Sequence, residues 1–109
     1  MSEPASFTSS IAARYALAVF EIAQEADQIA ELEKNIDVLS EALDVSADLN
    51  AMLKSPLLSR GAQGQAIAAV AAKLGLSDDL SNTLSLMASK RRLFVVPALI
   101  GQLRALIAE

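Results

Sequence analysis

The chain has 109 residues, of which 53% are hydrophobic and 20% are charged, and its formal net charge is −4. This length and composition predict one folded domain and exclude an intrinsically disordered chain. The sequence contains no Cys and no His, which removes disulfides, thiol chemistry, the most common general base and the most common metal ligand. We therefore expect a protein that is not an enzyme, with no catalytic residue, no metal site and no cofactor.

The amino-terminal stretch MSEPASFTSS has neither the basic region nor the apolar region of a secretory signal. Charge-free runs such as 62–72 and 93–103 are shorter than the apolar stretch of about 18 residues that a membrane-spanning helix needs. We expect a soluble, cytoplasmic protein without direct membrane insertion, and a flexible tail over residues 1–8.

The first predicted helix starts where Ser9 or Ser10 can cap it and continues to about Ala26, through a segment without Gly or Pro. A second helix follows from about Asp27 to Val45. Its apolar residues recur at alternating spacings of three and four, which is typical of one helix of a bundle. They are Ile29, Leu32, Ile36, Leu39 and Leu43.

The second helix and the residues on either side of it are rich in Asp and Glu, and Lys34 is the single base within residues 21–48. Such a surface repels phosphate backbones and anionic lipid. We interpret it as a solvated acidic face, with an acidic docking surface as the alternative.

Ser46 can cap a short third helix, which ends near Lys54 because Pro56 disfavours helical geometry in the residue before it. The stretch SPLLSRGAQG is predicted to be a loop. A fourth helix then covers about 62–74, and Gly75 is placed to end it in the left-handed conformation.

Ser77 is a natural N-cap for a fifth helix from about Asp78 to Lys90. The sixth helix begins close to residues 94–97, since proline is tolerated in a first turn, and runs to about Ala108. No alternating pattern is long enough for a sheet. The sequence therefore predicts an all-α fold, a six-helix bundle over residues 9–109.

Two local patterns leave alternatives open. The stretch AAKLGLSDDLSNTL has the order of a DNA-binding helix-turn-helix, but the first turn of its second helix carries two acids, and Asn82 is its only base-reading side chain before Lys90. We therefore expect no nucleic acid as a partner. The cluster Lys90-Arg91-Arg92 either stabilises a helix end in a solvated turn or binds a phosphate or carboxylate.

Apolar residues lie almost all the way round the first helix, in IAARYALAVFEIA, and the fifth helix has a similar surplus. Spacing separates the first helix into the line Ala12, Ala16, Phe20, Ala23 and the line Ile11, Tyr15, Ala18, Ile22. It separates the fifth into the stripe Leu80, Leu84, Met87 and the neighbouring Thr83, Leu86, Lys90. The second set on each helix suggests a groove for an amphipathic helix of a partner. The alternative is that both helices are simply central to the bundle.

The same residues carry a family resemblance. ARYALAVFEIA resembles the amino-terminal signature of the delta subunit family of bacterial rotary ATP synthase, whose mitochondrial equivalent is the oligomycin sensitivity-conferring protein. NTLSLMASKRRLFVVPALIGQL is similar to a second conserved block of that family, and the spacing of MLKSPLL also fits. The resemblance covers nearly the whole chain in order.

The resemblance implies a non-catalytic stator protein of the peripheral stalk. Its six-helix domain binds the amphipathic N-terminal helix of an alpha subunit in a groove between the first and fifth helices. A second domain joins the b-subunit stalk; it should begin where this chain stops, at Glu109, so we expect a fragment. The implied location is peripheral, on the cytoplasmic side of the bacterial inner membrane. A helical adaptor for another amphipathic helix is the alternative.

Carried over by position, the resemblance assigns nine residues to the partner-binding groove. Leu86 is the residue for which burial in the core remains the main alternative. Arg92 and Leu93 match an Arg-Leu pair of the family, to which we assign a role in turn structure. The nine groove residues are Arg14, Tyr15, Ala18, Val19 and Ile22 on the first helix, and Thr83, Leu86, Met87 and Lys90 on the fifth.

Overall fold

The computed structural model describes residues 3–109, with side chains from residue 7 onward. Over these residues the chain forms six α-helices and a short 3-10 helix, and none of them forms a β-strand. The predicted all-α six-helix bundle is confirmed. The helices are α1 (Glu3–Glu25), α2 (Ile29–Val45), α3 (Ala47–Lys54), α4 (Arg60–Leu74), α5 (Asp78–Ser89) and α6 (Val96–Ala108), and the 3-10 helix Leu93–Val95 lies between α5 and α6.

The amino-terminal helix is longer than predicted. α1 begins at Glu3, before the expected start at Ser9 or Ser10, so residues 3–8 belong to a helix and not to a tail. The helix can extend in this direction because Pro4 lies in its first turn, where a missing N–H removes no helical hydrogen bond. Met1 and Ser2, the rest of the predicted tail, lie outside the described residues.

The loop between α3 and α4 is shorter than predicted. α4 begins at Arg60, because the Ser59 hydroxyl accepts a hydrogen bond from the Ala62 N–H at 3.0 Å and so caps the helix. Gly61, which we had assigned to the loop, and Gly64, which fell in both the predicted loop and the predicted helix, lie inside α4. The prediction was wrong here because glycine only weakens a helix, and tertiary packing can override that preference.

Three helices end with a residue in the left-handed conformation. Asp27, Gly75 and Arg91 have φ angles of 60°, 71° and 59° and lie just beyond α1, α4 and α5. At α5 the Arg92 N–H donates to the Met87 carbonyl at 2.7 Å, which is the long hydrogen bond of a Schellman motif. This ending turns the chain sharply and fixes the direction in which the basic cluster leaves α5.

The core is built mainly from Leu, Ile, Val and Ala, as the composition indicated. α1 packs most extensively on α6, and α4 on α5. Ala12 and Ala16 are fully buried and Ala23 is 4% exposed, and small side chains at a contact reduce the distance between helix axes. One line of α1 is therefore used for packing the bundle.

A buried polar side chain joins α2 to the start of α5. The Asn35 amide donates to the Glu31 carbonyl at 2.7 Å, and its oxygen accepts from the Ser77 N–H at 3.1 Å. The Ser77 hydroxyl in turn accepts from the Leu80 N–H at 3.5 Å and caps α5. The first turn of α5 is thus held in place by a residue far away in the sequence.

Candidate functional site

An open groove of about 330 Å³ lies between α1 and the carboxyl-terminal part of α5. We call it the α1/α5 groove. The sequence predicted a groove between these two helices. Its lining combines apolar side chains with three cations and contains no acid; the lining residues are Ile11, Arg14, Tyr15, Ala18, Leu86, Lys90 and Arg92.

Helical spacing explains how α1 forms one wall of the groove. Ile11, Tyr15 and Ala18 are spaced by four and three residues and therefore share a face. Tyr15 is half-buried and Ala18 is exposed, whereas the neighbouring line through Ala12 and Ala16 is fully buried. α1 thus packs the bundle with one line and lines the groove with the next, which is the division that its two faces suggested.

The wall formed by α5 depends on Leu86. Leu80 and Leu84 are completely buried, but the Leu86 side chain is 47% exposed and lines the groove. Leu86 lies two residues beyond Leu84, which rotates it about 200° away from the buried stripe. Burial in the core, the alternative for Leu86, is therefore not what the fold shows.

Two of the predicted groove residues belong to the core instead. Val19 is 1% exposed and Met87 is fully buried, so neither can contact a partner in the groove. Val19 falls on the packing line of α1, three residues after Ala16. Met87 falls on the buried stripe of α5, three residues after Leu84. The assignment by position placed both on the wrong side of their helices.

Ile22 and Thr83 lie on the groove faces of their helices but outside the groove itself. Ile22 is one turn beyond Ala18 on α1 and is 47% exposed. Thr83 is almost one turn before Leu86, is half-buried, and donates its hydroxyl hydrogen to the Asp79 carbonyl at 2.9 Å. Both extend the same surface, and their contact with a partner remains a prediction.

Sequence reasoning assigned Arg92 to turn structure, and it placed Ile11 on the groove line of α1 by spacing without including it among the nine groove residues. Both side chains line the groove. Arg92 follows the left-handed Arg91, and its guanidinium donates to the Tyr15 hydroxyl at 3.4 Å. The basic cluster was visible in the sequence, but only the left-handed turn after α5 directs Arg92 back towards α1.

A second hollow, of about 390 Å³, lies beside the 3-10 helix, and Gln63 and Arg91 line it. Gln63 and Arg91 already make hydrogen bonds there. The Gln63 amide donates to the Met52 and Ser55 carbonyls, both at 3.3 Å, and its oxygen accepts from the Arg91 guanidinium at 3.3 Å. These contacts tie α3, α4 and the end of α5 together, so we regard the hollow as structural.

The described residues form neither a metal-binding group nor a membrane-spanning helix. No three acidic side chains among them are grouped so that they could hold a metal ion. None of the described helices is both long enough and apolar enough to cross a membrane. The helices α4 and α5 form on either side of the turn at Gly75, but Leu80 and Leu84 of α5 are buried and Asp78 is exposed in its first turn. The exposed carboxylate of Asp78 would repel a nucleic-acid backbone.

Comparison with known proteins identifies related sequences. Residues 11–109 match the family model for the ATP synthase delta (OSCP) subunit. The whole chain is 55% identical to ATP synthase subunit delta of Roseobacter denitrificans, 58% identical to that of a Ruegeria species and 55% identical to that of Rhodobacter capsulatus. In each comparison the chain spans 59% of the length of the relative.

Proposed function

The chain belongs to the ATP synthase delta (OSCP) subunit family, and on that basis we propose that it is a non-catalytic part of the peripheral stalk of a rotary ATP synthase. In this proposal the six-helix domain holds the catalytic head by binding the N-terminal helix of an alpha subunit in the α1/α5 groove. The site would then lie on the cytoplasmic side of the bacterial inner membrane, in a peripheral position.

The observation that supports this proposal most is the exposed apolar surface formed by Leu86 in the groove and Ile22 beside it. Leu86 and Ile22 are each 47% exposed, although both are aliphatic side chains that normally gain from burial. Covering a half-exposed Leu or Ile contributes about 1 kcal/mol. An amphipathic helix laid between α1 and α5 would cover both residues and the aromatic ring of Tyr15.

The proposed mechanism is mechanical. Rotation of the rotor exerts torque on the catalytic head, and a stator prevents the head from turning along with it. The contact between head and stator must therefore dissociate slowly, and slow dissociation comes from well-packed apolar anchors that exclude water. Attachment to the b-subunit stalk would be provided by the segment that the longer relatives have and this chain does not span.

Calorimetric titration with a peptide of the alpha-subunit N-terminal helix from the same organism tests the proposal. We expect the native domain to bind and Leu86→Asp to weaken binding at least about 30-fold, because a carboxylate would be buried against the apolar face of the peptide. Helicity should be retained, since Leu86 is half-exposed.

Leu17→Asp is the matched control. Leu17 is also a leucine, is also 47% exposed, and lies on α1 outside the groove. Its substitution should leave the peptide affinity within about two-fold of the native value. No binding by the native domain, or equal losses in both variants, would contradict the proposal, and binding of an unrelated amphipathic helix with the same affinity would favour a general helical adaptor.

A further inference from the structure

Three cations surround the apolar lining of the α1/α5 groove. Arg14 comes from α1, Lys90 follows α5, and Arg92 lies in the turn after it; all three line the groove, and no acid does. We call these three residues the cationic rim. The chain as a whole has a net charge of −4, so the groove is a local exception to the sign of the molecule.

The cationic rim has no ionic partner among the described side chains. In that part of the chain the one ion pair joins Arg104 to Asp37, at 2.9 Å. Arg92 donates to the neutral Tyr15 hydroxyl at 3.4 Å. Three like charges around one groove repel one another, and this cost falls when a negative group binds between them.

Helix-end electrostatics account for only part of the cluster. Lys90 lies at the carboxyl-terminal end of α5, where a positive charge is favourable. Arg14 lies in the middle of α1, and the effect of a helix dipole does not extend beyond the terminal turn. Its place beside Leu86 in the groove therefore needs another explanation.

The two helices that form the groove carry acids at the far ends of their groove faces. On α1 the face that contains Ala18 and Ile22 continues to Glu25, and on α5 the face that contains Leu86 begins at Asp79, as their spacings of three and four residues show. Glu25 is exposed and Asp79 is half-buried. The surface is thus positive in the groove and negative beyond it.

We propose, as an extension of the function proposed for this groove, that the cationic rim binds carboxylates on the partner helix. The occupant is then an amphipathic helix whose apolar stripe is flanked by Asp or Glu at the end that lies beside Arg14, Lys90 and Arg92. The apolar lining supplies the slow dissociation, and the rim selects acidic helices and sets their orientation.

Charges at the edge of an interface act mainly on the association rate and on its dependence on salt. The association rate of the alpha-subunit peptide should fall about two- to five-fold in Arg14→Gln and in Lys90→Gln at low salt, with little change in the dissociation rate. The difference from the native protein should shrink at high salt, because ions screen exposed charges. Lys73→Gln on α4, an exposed lysine outside the groove, is the control and should bind like the native domain.

Charge reversal gives the decisive comparison. Lys90→Glu should bind the native peptide more weakly than Lys90→Gln does, and a peptide with its flanking acids changed to Lys should bind Lys90→Glu better than it binds the native domain. Peptide binding that responds to Leu86→Asp but not to the rim variants or to salt would overturn the inference and leave the proposed function intact. No peptide binding at all would overturn the proposed function, and the inference together with it.

Discussion

Asn35 and Gln63 are the buried polar residues among those whose side chains are described, and both make hydrogen bonds that link separate elements. Gln63 connects α4 to the end of α3 and to Arg91. Asn35 connects α2 to the N-cap residue of α5. Buried amides of this kind stabilise a fold only while their partners stay in place.

Asn35→Ala is expected to lower the free energy of unfolding by about 1–3 kcal/mol, because it leaves the Ser77 N–H without its acceptor. Asn82→Ala, at an exposed position of α5, is the matched control and should change stability by less than about 0.5 kcal/mol. Denaturation midpoints in urea measure both. Equal midpoints for the two variants would contradict a structural role for Asn35.

The positions of some residues were predictable from helical spacing, and those of others were not. Spacing alone separates Leu86 from Leu84, and the fold places the two on opposite sides of α5 as spacing requires. Val19 and Met87 were assigned to the groove by resemblance, although spacing had placed Met87 on the stripe with Leu80 and Leu84, and both residues are buried. The bond from Asn35 to Ser77 was not predictable, since a pattern within one helix carries no information about a partner more than forty residues away.

Serine side chains cap the starts of α3, α4 and α5. The hydroxyl groups of Ser46, Ser59 and Ser77 each accept a hydrogen bond from a backbone N–H at the start of a helix. Gly75 ends α4 with a φ of 71°. Ser46, Gly75 and Ser77 were predicted, because cap residues stood next to clear helical patterns. Ser59 was missed, because two glycines follow it within five residues and glycine-rich stretches usually indicate loops.

Replacing glycine by alanine should change the free energy of unfolding in opposite directions inside α4, at Gly64, and at its C-cap, Gly75. Gly64→Ala should raise the free energy of unfolding by about 0.5–1 kcal/mol, because alanine favours the helix interior and a Cβ there meets nothing within 4 Å. Gly75→Ala should lower it by about 1 kcal/mol, although its Cβ also meets nothing within 4 Å, because its φ is positive. Thermal or chemical unfolding distinguishes the two. Two shifts of the same sign would contradict the helix boundary assigned here.

At the level of the whole molecule, the sequence predicted the fold class, the number of helices and the two helices that form the groove. The helices were predictable because α2 and α5 carry clear apolar stripes and because Ser46, Gly75 and Ser77 mark helix ends. The composition of the groove was only partly predictable. Arg92 reaches it through a turn in the left-handed conformation at Arg91, and an arginine gives no sign of that conformation in the sequence.

The organisation of charge is also a property of the whole molecule. An acidic chain carries its cationic rim around the apolar lining of the α1/α5 groove. Its acids lie chiefly on and around α2, and none of them lines the groove. This distribution of charge makes most of the surface repel nucleic acids and anionic lipid. It leaves one face suited to an acidic amphipathic helix.

The central claim is that the α1/α5 groove is the binding site for the alpha-subunit N-terminal helix, and backbone amide NMR during titration with that peptide tests it most directly. We predict that the largest chemical-shift changes fall within Ile11–Ile22 and Thr83–Arg92, with small changes in α2 and α3. Saturable changes centred on α3 and α4, or no changes at a peptide concentration well above that of the protein, would contradict it.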